Sequence, residues 1–380
     1  MNTNPLKKLE SLGQSIWIDF ISRDLIKSGR LLKLIREDGL RGMTSNPTIF
    51  EKAISSGEDY DKDILEMAQK GMERNEVYEA LSQQDIRDAA DIFRQVYDKT
   101  NGKDGFVSLE VNPHLAYDTK GTVEEARRLW KAVDRPNILI KVPGTAEGLP
   151  AIRQLISDGI NVNVTLLFGL PRYREVVDAY LGGIEKRIAQ NKPVDHVVSV
   201  ASFFLSRIDV LVDPRLEEIK KNDNRMRKTA EKTHGEVAVA SAREAYIIYK
   251  EYFSAIRFKK MAEQGAHTQR LLWASTSTKN PEYSDVKYVE PLIGQDTVNT
   301  MPPETIDAYR DHGRPEIRIE NDPEHSREIL QNLSLLGINI DEVTSILEQE
   351  GVDKFIKPFD KLMETLNQEL NRVRNENLSS

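Results

Sequence analysis

The sequence predicts an α/β protein, a (β/α)8 TIM-type barrel with additional helices in its long inter-strand segments and at its C-terminus. Two observations predict it. Eight short runs of β-forming residues alternate with helical segments, and eight is the number of strands that closes such a barrel. Within the runs one face is apolar, while the other carries a polar residue toward the C-terminal end, where barrel enzymes build their sites. A doubly wound open sheet is the alternative that the alternation alone leaves standing.

The elements follow in order. The first run, SIWIDF (15–20), sends Ile16, Ile18 and Phe20 to one side and Trp17 and Asp19 to the other. The second, GMTSNPTIF (42–50), contains Asn46. Residues 51–104 are too long for one helix and have room for two or three. In the third run (105–113), Val107, Leu109 and Val111 oppose Ser108, Glu110 and Asn112. Next comes a helix with Ala126, Leu129, Trp130 and Val133 on one face. The fourth run (137–143) sets Ile138, Ile140 and Val142 against Leu139 and Lys141. Leu149, Ile152, Leu155 and Ile156 mark the following helix, with Gly159 placed to end it. In the fifth run (160–168), Val162, Val164 and Leu166 oppose Asn161, Asn163 and Thr165.

The sixth run (196–204) holds Ser202. Residues 205–269 begin with a charge-rich tract, read as a solvated helix face or loop, and continue with an apolar-periodic helix. The last two runs are 270–278 and 296–302, and from about residue 320 the chain reads as helices only. No internal repeat, low-complexity tract or linker divides it, so 1–380 is expected to be a single domain.

Composition narrows the function classes. A 39% hydrophobic and 30% charged chain suits a soluble globular protein with a sizeable core. The net charge of −8 disfavours a nucleic-acid or anionic-membrane partner, although a local basic site can still take a phosphate. With no cysteine there is no disulfide, thiolate metal site or cysteine nucleophile, which fits a reducing cytoplasm. The first residues lack a signal-peptide segment, and no run is long enough to span a bilayer. A cytoplasmic protein is expected.

Asp19, Asn46, Glu110, Lys141, Asn163, Thr165 and Ser202 come from six of the runs. Any one of them is explained by a loop just past its strand. Together they read as a polar barrel mouth, because such a set is costly to bury unless mutually hydrogen-bonded. The set has no histidine, and no P-loop or Rossmann glycine pattern occurs. What remains is one lysine, two carboxylates and several amides and hydroxyls. A desolvated lysine with a lowered pKa attacks carbonyls to form a Schiff base, an electron sink for making or breaking a neighbouring C–C bond. Carboxylates supply proton transfer. Arg207, five residues after Ser202, and the cluster Ser275, Thr276, Ser277, Thr278 and Lys279 suit a phosphate, although Arg207 could equally pair with an acidic surface residue such as Asp209.

The runs GMTSNPTIFEKAI, VSLEVNPHLAYDT, ILIKVPGTAEGLPAI, INVNVTLLF and NTMPPETIDA stand in one order along the chain. In them the sequence resembles transaldolases of the longer bacterial type, from about WIDFISRDLI to FDKLMETL. The resemblance implies a cofactor-free barrel enzyme of the non-oxidative pentose phosphate pathway. It would move a dihydroxyacetone unit from sedoheptulose 7-phosphate or fructose 6-phosphate to glyceraldehyde 3-phosphate or erythrose 4-phosphate. It further implies that Lys141 forms the Schiff base and that Asp19 handles the proton of the hydroxyl at the cleaved bond. Glu110 and Thr165 would hold a water for proton transfer. Asn46 and Asn163 would bind the dihydroxyacetone hydroxyls beside Ser202, and Arg207 and Ser275 would bind phosphate.

The shorter members have Ser-x-Arg after the seventh strand. Here Thr276-Ser277 follows Ser275, leaving Lys279 or Arg270 as the second cation. Some relatives are fused to a phosphoglucose isomerase; this sequence ends near its last helix, so no second catalytic domain is expected. The partners implied are sugar phosphates, and a monomer or homodimer is expected. A fructose 6-phosphate aldolase releasing free dihydroxyacetone uses the same lysine and is the nearest rival. A pyridoxal-phosphate enzyme also needs a Schiff-base lysine, but no residue pattern marks a partner for the pyridine nitrogen. A non-catalytic sugar-phosphate-binding barrel is disfavoured by the intact Lys141, Asp19 and Glu110.

Overall fold

The computed structural model describes residues 4–55 and 58–379. All eight runs form strands: β1 (Gln14–Asp19), β2 (Gly42–Thr44), β3 (Phe106–Glu110), β4 (Ile138–Pro143), β5 (Val162–Leu167), β6 (Ser199–Phe204), β7 (Arg270–Ala274) and β8 (Thr297–Met301). They lie parallel in sequence order, and β8 pairs back onto β1. The sheet is therefore a closed barrel and not an open doubly wound sheet.

β2, β3 and β7 stop several residues before their runs end, the first two for a local reason. After Thr44, the Asn46 side chain accepts the Ile49 N–H (3.0 Å) and caps the helix Pro47–Ser55, whose proline fits the first helical position. After Glu110, Asn112 likewise caps the short turn Pro113–Leu115. The expected helix ends hold: Gly159 closes Gly148–Asp158 with φ +88°. The long segments become the helices Pro47–Ser55, Asp61–Gln69 and Arg74–Lys99 before β3, with positions 56 and 57 outside the described residues. Four helices, Ser206–Asn222, Arg227–Thr233, Val237–Ser254 and Ile256–Ala262, precede β7. The charge-rich tract falls on the first two of these and is mainly solvent-facing. Among the described residues no helix is long and apolar enough to cross a membrane.

Outward strand residues such as Ile140, Val142, Val164 and Phe203 are buried under the surrounding helices. Inside, the Trp17 indole crosses to β2, where a Cβ on Gly42 would lie 2.6 Å from the ring. The helix Ile340–Ser379 packs over the C-terminal end of the barrel, against Pro47–Ser55 and β5. Lys361 pairs with the buried Glu51 (2.7 Å), His114 meets Asp360 (2.7 Å), and Tyr78 packs edge-on against Phe359.

One expectation is corrected by the register. Arg270 is the first residue of β7 and lies at the N-terminal end of the barrel, away from the mouth. Its guanidinium donates to Asp104 (2.9 Å), Ser15 (3.0 Å) and the Lys103 carbonyl (2.6 Å), and is fully enclosed. Arg270 therefore offers no cation to a ligand at the mouth. Removing one member of a buried pair strands the other, so Arg270→Met should cost about 3–5 kcal/mol in urea titration. The folded variant should keep its KM for phosphorylated sugars; a raised KM with unchanged stability would return Arg270 to the ligand site.

Candidate active site

The chemistry-bearing residues are brought together by parallel register. Glu110 pairs with Lys141 and Lys141 with Asn163 across β3, β4 and β5, so the three stand at one height on the inner face. Lys141 is 4% exposed. Its Nζ donates to the Ser45 carbonyl (2.8 Å), lies 3.3 Å from Glu110 Oε2, and sits 5.6 Å from the centre of the Phe355 ring. Ser45 is held in turn by its own hydroxyl, which donates to the Ser108 carbonyl (2.7 Å).

The contact between Lys141 and Glu110 is one of charge rather than an aligned hydrogen bond, and neither Glu110 oxygen has a protein hydrogen-bond partner. Burial pushes the Glu110 pKa up to about 7, against the pull of Lys141. The Thr165 hydroxyl is likewise buried without a partner. Asn163, by contrast, is fixed: its amide donates to Ser108 Oγ (3.0 Å) and its carbonyl accepts from Ser202 Oγ (2.7 Å).

Asp19 ends β1 and accepts from Thr44 Oγ1 (2.6 Å), which also meets Thr300 Oγ1 (2.7 Å). Part of Asp19 is open to the cavity, but the cavity is walled by protein, and this desolvation raises its pKa. Lys141, the Thr44 hydrogen bond and Arg207 act in the opposite sense, and Glu304 adds to the rise.

These groups surround a cavity of about 290 Å³. Asp19, Asn46, Lys141, Thr165, Ser202, Arg207 and Ser275 line it, while Glu110 and Asn163 stand buried behind Lys141 and Ser202. All nine residues singled out from the sequence thus meet at one end of the barrel.

Opposite Lys141, the helix Ser206–Asn222 opens with Arg207 in its first turn. Burial lowers the pKa of its guanidinium, with Asp19 and Glu350 opposing; the ring of Phe204 lies 5.4 Å away, and Nη1 has no partner. Asp209 is neither a surface residue nor the partner of Arg207: it is buried and held by Tyr288, Lys287 and the Ala238 N–H. Ser275 adopts a left-handed conformation (φ +55°), and its hydroxyl meets that of Ser206 (2.8 Å).

The hydroxyl cluster divides. Thr276 is spent on the Thr300 carbonyl and Thr278 on that of Ser284, whereas Ser277 and Lys279 face the cavity, 2.6 Å apart. Sequence reasoning missed Lys52, Phe355 and Glu304, which also line it. Lys52 was reachable, since it follows Thr48 by four residues on one face of the helix that Asn46 caps. Phe355 arrives from a helix about two hundred residues further on than Lys141's strand in sequence, and no local signal points to it.

The raised pKa of Glu110 has a consequence for stability. In the unfolded chain the carboxyl ionises near its ordinary 4.5, in the fold near 7. Between these values the folded state binds the extra proton, so stability is greatest below the lower value and falls as pH rises to the upper. Wild-type stability should decline by roughly 1–3 kcal/mol across that window. Glu110→Gln should show a decline smaller by about this amount when denaturant titrations at about pH 5 and about pH 8 are compared, while Asp209, also raised by burial, to about 6, titrates in both proteins. An equal decline in both proteins would show that other groups carry it.

Comparison with known proteins agrees in extent along the chain. The sequence profile of the family described as Transaldolase/Fructose-6-phosphate aldolase matches residues 16–366. A protein named Transaldolase from Trichodesmium erythraeum is 49% identical over 377 residues, covering 98% of this chain and 99% of its own. One of the same name from Saccharopolyspora erythraea is 46% identical over 98% of this chain and 100% of its own. A Transaldolase 2 from a Nostoc species is 45% identical over 96% of this chain and 97% of its own.

Proposed function

We propose a function from one premise: the chain belongs to the transaldolase/fructose-6-phosphate aldolase family. Its activity is that of a transaldolase, the transfer of a dihydroxyacetone unit between sugar phosphates. The observation that carries the reading is a lysine buried on an inner strand face, against Glu110 and in one cavity with Asp19. The barrel of residues 1–380 acts as one catalytic unit in the cytoplasm, without a cofactor.

Lys141 Nζ, once deprotonated, attacks C2 of a ketose phosphate; the carbinolamine loses water and a protonated imine forms. Glu110 suits the proton transfers of this stage, because its pKa of about 7 lets it hold or release a proton near neutrality. Its two oxygens and the Thr165 hydroxyl, all without protein partners, suit a shared water as the carrier. Asp19 then takes the proton of the C4 hydroxyl. The C3–C4 bond breaks, its electron pair enters the imine as an enamine, and the aldose phosphate leaves. Attack of the enamine on the acceptor aldehyde reverses these steps, with Asp19 returning the proton, and water finally releases the product from Lys141.

The amide of Asn46 and the hydroxyl of Ser202, both lining the cavity, suit the hydroxyls of the three-carbon unit, and Asn163, tied to Ser108 and Ser202, supports them from behind the wall. The substrate phosphate lies at Arg207 and Ser275, and Lys279 supplies the second charge that an arginine supplies in shorter relatives. An ammonium attracts the phosphate as a point charge and forms no bidentate fork.

Borohydride reduction in the presence of fructose 6-phosphate should add a three-carbon adduct to Lys141, seen by peptide mass spectrometry. An adduct elsewhere, or none, removes the assignment. With the acceptor aldehyde omitted, the enzyme should stall after one turnover; steady release of dihydroxyacetone would make it an aldolase. Arg207→Ala should raise KM for phosphorylated donors by about 10-fold to 100-fold, the scale of a lost charge-assisted contact, while imine formation with free dihydroxyacetone persists. Equal losses with both ligands would mean that Arg207 supports the fold instead.

A further inference from the structure

We propose that Asp209 is a positioning residue that clamps the Arg207 turn to the loop after β7, so that Arg207 and the Ser275–Lys279 segment face the same phosphate. The proposal rests on the reading of the phosphate end given above.

Asp209 lies two residues beyond Arg207, is 1% exposed, and does not line the cavity. Its Oδ1 accepts the Ala238 N–H (2.8 Å) and its Oδ2 accepts the Tyr288 hydroxyl (2.9 Å), with Lys287 Nζ at 3.4 Å. One turn later on the same face, Asp213 accepts the Gly235 N–H (2.9 Å) and the Tyr283 hydroxyl (2.7 Å). Lys287 donates to the Gly235 carbonyl, and its ammonium sits 3.3 Å from the centre of the Tyr283 ring. The left-handed Gly235 (φ +74°) permits this, since a Cβ there would lie 2.6 Å from the Tyr283 oxygen.

Two buried carboxylates therefore join three segments: the helix carrying Arg207, the turn before Val237–Ser254, and the loop containing Tyr283, Lys287 and Tyr288. At the loop's other end, Ser275 accepts the Ser206 N–H (3.1 Å) and meets its hydroxyl. The segment with Ser277 and Lys279 is thus anchored on both sides to the helix whose first turn presents Arg207. Burying Asp209 and Lys287 together costs desolvation that an apolar pair would avoid. Its return is geometric. Arg207 makes no carboxylate contact within 4.0 Å among the described residues, so its aim depends on the helix start.

Lys287→Met and Tyr288→Phe test this, because neither residue touches the cavity and the second removes a single oxygen. For each variant, KM for fructose 6-phosphate and inhibition by inorganic phosphate should weaken about tenfold, within what a misplacement of about 1 Å can cost. kcat should stay within about twofold, and borohydride trapping of unphosphorylated dihydroxyacetone on Lys141 should be unchanged. A lowered melting temperature with unchanged KM and phosphate inhibition would overturn the proposal, leaving the cluster as fold support. Equal loss of KM and trapping would overturn it as general damage. Arg207→Ala, measured alongside, separates the two levels. If it leaves phosphate inhibition intact, the phosphate reading itself fails; if it weakens inhibition while the clamp variants do not, only the clamp fails.

Discussion

Parallel register inside a closed barrel is the constraint on which the rest of the molecule depends. Once β3 and β4 pair with Glu110 opposite Lys141, a carboxyl and an ammonium must share one height on a face nearly closed to bulk water. Neither can be buried alone at tolerable cost. Each moderates the other: Lys141 restrains the rise of the Glu110 pKa, and Glu110 gives the ammonium a counter-charge 3.3 Å away. The neighbouring loops are built around this pair. Ser45 turns its carbonyl to the ammonium because its hydroxyl is tied to β3 and Asn46 begins a helix at the next residue.

The same interior sorts polar groups into two kinds. Asn163, Ser202, Thr276 and Thr44 are tied to other protein groups and set the walls. Glu110, Thr165 and one nitrogen of Arg207 are buried without a protein hydrogen bond, and all stand at or directly behind the cavity. Groups left in this condition lower stability wherever they occur, and others, Trp17 Nε1 and the Tyr309 hydroxyl among them, lie away from the cavity; those at it stand where proton transfer and phosphate binding are proposed. Among the described left-handed non-glycine residues, the two that are neither Asn nor Asp fall in the same place. Leu166, after Thr165, has φ +61° at the irregularity between β5 and β6, and Ser275 has φ +55° at the end of β7.

What the sequence made legible was whatever a period of two could report. The strands, their inner faces and the nine polar residues on or just past them were readable, because alternation is local and the barrel merely gathers what it predicts. Height along a strand was less well read. The expectation of Arg270 at the mouth fails because it opens β7, and a first residue of a barrel strand belongs to the opposite end. The expectation that Asp209 is a surface acid free to pair with Arg207 fails, because the helical repeat places it inward with Asp213. Phe355 was beyond local reasoning. Its place over Lys141 follows from how Ile340–Ser379 docks, through Lys361, Asp360 and Phe359, on elements far away in sequence.

Under the proposed reading, the phosphate end holds its ligand with a changed set of cations. Where the Ser-x-Arg pattern expected from the resemblance would put an arginine, this chain has Ser277, and its cation comes two residues later as Lys279. A lysine gives up the planar fork, so recognition must lean on field and enclosure instead of bidentate geometry. The cavity is suited to that. Arg207, Lys279 and Lys52 line it from three different elements, against Asp19 and Glu304 on the strand-one side. In an enclosed site charges act through a lower effective dielectric than in water, so spread lysines can replace part of a fork's affinity. They cannot replace its aim. Under the proposed reading, orientation therefore falls to Arg207, the one guanidinium in the cavity among the described residues, which is why the rigidity of its helix start matters here.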